Sequence, residues 1–344
     1  MSDPITGLAI GVIIGGILQL LLQVPFLIRK GFIFWKTASF YHPGLKKIGV
    51  LMLPTILGAA VYQINILVGT LLASLLPQGS VSYLYYADRL VQFPLGIFAI
   101  AIATAVLPTL SKQAAAKNMG ALNETFAYAI RLVLFITIPA MIGLIVLKEP
   151  IVALLFKRGA FDAETVRQTA GALLYYCVGL WAFSAVRIVV STFYALQDTR
   201  TPVRIAIIAI AANIILSVIL MKPLAHCGLA LATSLSSMLN LVLLICVLRK
   251  RLGVTNWRPI VISGIKTVAS SVIMGVGVHI MAYYTISSPT APFTQLLAGL
   301  SASIICGLIL YAGLSQLMRN SELQTVISIV RPILRPILPN GLHK

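Results

Sequence analysis

The sequence predicts an all-α polytopic membrane protein with about nine transmembrane helices. Three observations carry this prediction. Of its 344 residues 59% are hydrophobic, and the mean hydropathy is +0.99, more apolar surface than a soluble domain of this length buries. Stretches of about 20 apolar residues recur along the chain, each long enough to cross a ~30 Å hydrocarbon core. The runs are uniformly apolar rather than alternating, which argues against a barrel, the only other spanning structure that satisfies its own backbone in lipid.

In chain order the spans fall at 6–28, 49–75, 89–111, 126–147, 168–195, 203–221, 228–248, 260–284 and 294–317. Turn and breaker residues separate them: Pro43 and Gly44, Pro77 to Gly79, Asn118 to Gly120, Pro202, and His226 to Gly228. Residues 29–48 form an interfacial loop in which FIFWKTASFY (32–41) crowds aromatics beside Lys36, the composition of a headgroup anchor. The stretch IVALLFKRGAF (151–161) is too short to cross and is expected at the outer surface or dipping into it. The tail, 318–344, holds apolar residues near helical spacing over 323–338. Pro332 and Pro336 predict that this amphipathic segment is broken.

Charge sets the orientation. Seventeen Lys and Arg lie after the first, third, fifth and seventh spans and in the tail, against six on the other side. The positive-inside rule puts the first set, and the C-terminus, in the cytoplasm. Met1 then lies outside, although no basic residue or signal-peptide pattern precedes the first span. An odd number of spans with that start predicts that further helices precede residue 1 in the complete protein.

The net charge of +18 does not mark a nucleic-acid binder, because the cations concentrate in alternate loops. The eight acidic residues lie in loops or at predicted span ends, and HExxH, GxSxG and P-loop patterns are missing, so neither an enzyme nor a catalytic residue is expected. Cys177, Cys227, Cys246 and Cys306 form no CxxC pair and the four histidines are dispersed, so no metal or cofactor is expected.

The informative residues are the charges in or beside spans. Arg131 and Lys266 lie within about two turns of cytoplasmic ends and are expected to snorkel. Arg187 lies roughly 13 Å from its helix end at 1.5 Å per residue. An arginine at that depth costs at least ~2.5 kcal/mol if it faces lipid, so it faces either polar partners in the protein core or a wet cavity. Asp88 and Arg89 stand side by side at the predicted start of the third span. The macrodipole there favours Asp88 but not Arg89, and adjacent helical residues do not face each other. Arg89 is either an interfacial anchor or a guanidinium turned inward to hold an anionic headgroup, for which its rigid fork suits phosphate oxygens.

Four motifs carry a resemblance. YYADRLVQFPLGIF continuing to TAVLPTLSK (85–112), GGILQLLLQVPFL (15–27), LLFKRGAFD (154–162) and FYALQDTRTPVRIA (193–206) resemble, in order and spacing, the lipid II flippases of the MurJ/MviN family. That family belongs to the superfamily of polysaccharide exporters and multidrug antiporters. The resemblance implies a fourteen-helix architecture of two six-helix lobes around a cavity, followed by two helices that shape a lipid-facing groove. On that pattern 6–28 is the last helix of an incomplete first lobe, 49–248 the six-helix second lobe, and 260–317 the two additional helices. The implied substrate is a polyprenyl diphosphate carrying the peptidoglycan precursor, moved from inner to outer leaflet of the bacterial cytoplasmic membrane by alternating access. Arg89 and Asp88 match the family's second-lobe motif, and Arg187 falls where the family often has a basic residue; all three are implied substrate-binding residues. The implied partners are that lipid, membrane lipids, and either a first lobe from elsewhere or cell-wall synthesis proteins. Without the first lobe the chain is expected to be inactive alone. The alternatives are a flippase for another polyprenyl-diphosphate-linked oligosaccharide and a transport-inactive membrane scaffold.

Overall fold

The computed structural model describes residues 4–31, 63–253, 257–286 and 292–334. The expected aromatic anchor at 32–41, most of the 29–48 loop, the first part of the 49–75 span and residues 335–344 lie outside these. All regular structure among the described residues is helical. The chain divides into two units, Met1–Leu57 and Gly58–Lys344.

The first unit holds α1 (Pro4–Arg29), a 26-residue helix whose described side chains are almost all exposed. At 1.5 Å per residue it is long enough to cross a bilayer.

The second unit is a bundle. Its helices are α2 (Gln63–Ser74), α3 (Ser80–Pro94), α4 (Ala101–Ala115), α5 (Met119–Val146), α6 (Lys148–Phe156), α7 (Ala163–Val178), α8 (Leu180–Ala195), α9 (Arg200–Leu252), α10 (Arg258–Thr285), α11 (Phe293–Leu317) and α12 (Ser321–Leu334). By length and composition six helical stretches among the described residues are able to span a membrane, namely α1, the continuous α3–α4 stretch Ser80–Ala115, α5, α9, α10 and α11, or seven if the bent pair α7–α8 counts as one span. Every predicted span falls on helix where it is described, two of them on the arms of α9. The stretch 151–161 contains the nine-residue α6, too short to cross.

The helix α9 is a hairpin. Its 53 residues are interrupted at Ala225 (φ 48°, ψ −131°), in the predicted turn region. A Cβ on Gly228 would lie 2.2 Å from the Leu220 carbonyl oxygen, so only glycine lets the arms meet there. The far ends meet too. Asp198 accepts from the Thr201 hydroxyl (2.6 Å) at the start of α9 and pairs with Arg251 (2.7 Å) at its end.

The break between α7 and α8 was not expected in the 168–195 span, and it bends the pair by 43°. The cause lies in α9. The Ser234 hydroxyl donates to the Tyr175 carbonyl at 2.6 Å, taking over an acceptor of the helical ladder, and a Cβ on Gly179 would sit 2.8 Å from Ser234 Cα. A side chain inserted into the ladder is a recognised source of kinks.

Between α3 and α4 the helix widens into a π-helical turn over Leu95–Ile100. The buried positions show why. Leu84, Ala87, Val91 and Pro94 follow helical spacing, and the next buried residue, Ala99, comes five later rather than four before Ala103 resumes the pattern. The wide turn takes up one extra residue and keeps a single buried stripe.

Three cores result. Phe126, Val133, Ile188, Phe193 and Leu244 join α5, α8 and α9. Leu84, Val91, Leu173 and Leu180 join α3, α7 and α8. Phe135, Met274, Leu300 and Tyr311 join α5, α10 and α11, where Tyr311 also donates to the Phe135 carbonyl at 2.6 Å. Since lipid tails are as apolar as these side chains, close packing and buried hydrogen bonds, rather than escape from water, hold such contacts.

Candidate functional site

The helix α3 starts at Ser80, well before the predicted start of its span at 89, so Asp88 and Arg89 lie in its third turn rather than at its N-terminus. Gly79 in the left-handed region (φ 95°) and a Ser80 hydroxyl bond to the Pro77 carbonyl start the helix early. The macrodipole therefore does not account for Asp88; a hydrogen-bonded partner does. The Gln92 amide donates to Asp88 Oδ2, and Gln92 Oε1 accepts from Arg89 Nη1 at 3.5 Å. Gln92 was not singled out in the sequence, although its i+4 and i+3 spacing from the two charges was visible.

Asp88 is half-buried and Arg89 exposed. Arg89 shares one stripe of α3 with Tyr85 and Phe93, both exposed, while Leu84, Ala87 and Val91 face the core. Its guanidinium lies 4.7 Å from the centre of the Tyr85 ring, a cation–π contact that restrains it without using its fork. The arrangement presents a permanent cation, backed by an aromatic ring, on an exposed helix stripe between Tyr85 and Phe93.

Two of the sequence motifs meet beside it. The Tyr86 ring packs 4.8 Å from that of Phe156 and 5.3 Å from that of Phe161, so YYADR is held against LLFKRGAFD. Asp162 at the end of the latter motif caps α7 by accepting from the Thr165 amide at 2.8 Å, which holds its carboxyl below the usual range. The motif at 193–206 has a different role. Partial burial works to raise the Asp198 pKa, but the Thr201 hydroxyl and amide and the Arg251 guanidinium outweigh it, so the carboxyl titrates below its ordinary value. That motif closes the α9 hairpin.

Arg187 is exposed in the middle of α8 and makes no hydrogen bond or ion pair with a described residue, so the core-pairing alternative fails among those residues. No contact joins it to Arg89. Arg131 and Lys266 do more than snorkel. Arg131 pairs with Glu322 of α12 at 3.4 Å, and Lys266 donates to the Met318 carbonyl at the end of α11 at 2.9 Å. Glu322, expected in a loop or at a span end, is only 3% exposed, and α12 continues through Pro332 rather than breaking there. No group of His, Cys, Asp and Glu able to hold a metal occurs among the described residues.

A bundle of membrane-length helices has the form of a multi-pass membrane protein. Comparison supplies the family. The family model described as "Lipid II flippase MurJ" matches residues 1–297, and the chain belongs to that family. A protein of Vibrio cholerae named "Probable lipid II flippase MurJ" is 45% identical over 71% of this chain and 46% of its own length. One of Bdellovibrio bacteriovorus with the same name is 32% identical over 93% of this chain and 61% of its own. The chain thus spans about half the length of the curated relatives it matches. A solved structure titled "Lipid II flippase MurJ, inward closed conformation" superposes with a TM-score of 0.67 at 27% identity, covering 83% of this chain and 57% of that one. An outward-facing multidrug MATE transporter of the MOP superfamily matches at a TM-score of 0.51 and 15% identity, a likeness of fold alone.

Proposed function

We propose that this chain serves in flipping lipid II from the inner to the outer leaflet of a bacterial cytoplasmic membrane, as a transporter rather than an enzyme. In this reading 49–248 works as a lobe that moves against a second body, 260–317 supplies a groove for the lipid tail, and the C-terminus is cytoplasmic with Met1 outside. Arg89 grips the diphosphate, Asp88 and Gln92 hold Arg89 in place, and Arg187 adds a second cation.

The observation that carries the reading is the exposed Arg89 residue, its guanidinium backed by Tyr85 and tethered through Gln92 on a helix stripe shared with Phe93. A charge kept there at a cost of a few kcal/mol implies an anionic counterpart that enters from outside the helix. A diphosphate fits because a guanidinium fork meets two phosphate oxygens at once and stays charged at any physiological pH.

The test is binding of purified lipid II to the purified chain, wild type against Arg89→Ala. Loss of a charge-assisted contact worth roughly 1.5–3 kcal/mol weakens binding about ten- to hundredfold. Equal binding by both proteins overturns the role of Arg89. Tighter binding of a polyprenyl diphosphate with a different sugar moves the assignment to another lipid-linked oligosaccharide.

A further inference from the structure

A second polar site, apart from Arg89, lies where α10 begins, α11 ends and α12 turns back over α5. A cavity of about 280 Å³ opens there, lined by Arg131, Lys266, Arg319, Glu322, Asn320 and Ser263 among others. At about 30 Å³ per water it holds a phosphate group together with several waters.

Its polar atoms are not used up by the fold. Both side-chain polar atoms of Asn320 are buried without a hydrogen-bond partner, and so is the Ser263 hydroxyl; the two residues are 5% and 7% exposed. The Nε of Arg131 is equally unpartnered. A buried polar atom left empty costs roughly 1–3 kcal/mol, so the layer directly behind the cavity wall holds polar groups that a small rearrangement on binding would satisfy. The charge balance gives the guest its sign. Arg131, Lys266 and Arg319 outnumber the one carboxylate, Glu322, which itself engages Arg131. Lys266 gives one bond to the Met318 carbonyl and keeps two further donors.

Arg319 is the informative position. It follows the end of α11 with φ 51°, and its amide and that of Asn320 bond back to Gln316 and Ser315 at 3.0 and 2.9 Å. This is the left-handed helix-ending position that glycine occupies most comfortably. An arginine there accepts backbone strain in a residue that lines the cavity.

We propose that this pocket binds a phosphate group, carried by a phospholipid headgroup or by a polyprenyl diphosphate at the membrane surface. Basic pockets between helices near the cytoplasmic surface are suited to such headgroups. The site is independent of Arg89 and stands whether or not Arg89 grips the transported lipid.

The experiment uses native mass spectrometry of the full chain in neutral detergent, offered phosphatidylglycerol, phosphatidylcholine of the same acyl composition, or undecaprenyl diphosphate. Each is run with and without inorganic phosphate. Arg319→Gly is the diagnostic variant, because it relieves the left-handed backbone while removing the whole side chain with its guanidinium, and Arg319→Gln removes the charge but keeps part of the stem. The expected result is an unchanged or higher melting temperature with about tenfold weaker retention of an anionic lipid, reproduced by Arg319→Gln. Retention of phosphatidylglycerol identifies a bulk headgroup as the source, retention of undecaprenyl diphosphate alone identifies a prenyl diphosphate, and displacement of either by inorganic phosphate identifies the phosphate itself as the recognised group. Equal retention by wild type and both variants, or no preference over phosphatidylcholine, overturns the proposal.

Discussion

Asp88 and Arg89 are joined through Gln92 rather than to each other. The Gln92 amide donates to Asp88 Oδ2, while its oxygen lies 3.5 Å from Arg89 Nη1. Neighbours on a helix point about 100° apart, so only a residue one turn further on, between the two directions, reaches both. The carboxylate therefore influences the guanidinium through a neutral relay, which orients the arginine without neutralising it by direct contact.

A graded series at these positions follows. Arg89→Ala removes the cation and should reduce lipid II binding by tenfold or more. Arg89→Lys keeps the charge but loses the fork, and should fall between wild type and alanine. Gln92→Leu frees the guanidinium to reorient and should weaken binding by only about three- to fivefold, near 1 kcal/mol. Titration of the purified variants with lipid II checks the order, and a Gln92→Leu protein weaker than Arg89→Ala would break it.

The Tyr86 contacts with Phe156 and Phe161 give a separate expectation. Tyr86→Leu keeps bulk and loses ring geometry, at about 0.5–1.5 kcal/mol for an aromatic pair. The melting temperature in detergent should drop by a few degrees, with the larger loss seen as protease sensitivity of the Lys157–Asp162 loop. Unchanged cleavage of that loop would show that the ring contacts do not hold it.

Asp198 sets a pH dependence whose sign is fixed. Its pKa is below the ordinary carboxylate value in the folded chain, so its stabilisation is fully present above that ordinary value, about 4. It is lost as the pH falls through the folded value. Wild type should therefore melt above Asp198→Asn by a constant margin from pH 7 to pH 5. The margin should close under more acid conditions. A margin that grew on acidification would contradict the ion pair with Arg251.

The kink between α7 and α8 is testable from both sides. Ser234→Ala removes the hydroxyl that occupies the Tyr175 carbonyl and should cost about 1 kcal/mol. Gly179→Ala drives a methyl to 2.8 Å from Ser234 Cα and should cost more, about 1–3 kcal/mol of overpacking. Thermal melting of the two variants ranks them; equal stability would mean that the helices separate easily at that point.

The existence and order of the helices were legible because long apolar runs leave few alternatives in lipid. The boundaries set by tertiary contact were not. The start of α3 depends on a left-handed Gly79 and a bond from Ser80 to Pro77, ahead of a stretch, SVSYLYYA, that is only mildly apolar. The bend at Gly179 is caused by Ser234 in a later helix, which no local pattern reports. Glu322 looked like an ordinary loop carboxylate because its partner, Arg131, lies far away in sequence. At Arg89 the sequence indicated an unusual charge within a family motif, whereas the relay through Gln92 needed coordinates to become evident.

The wide turn at Leu95–Ile100 has an evolutionary consequence. Because it already stores one surplus residue, loss of a single codon there would let the segment relax to ordinary α-helix with both halves still aligned to their neighbours. The same loss one turn earlier or later would swivel the distal half by about 100° and bring lipid-facing residues inward. Length variation among relatives in this helix should therefore gather at that turn, and a swap of the six-residue segment for a five-residue one should be tolerated there.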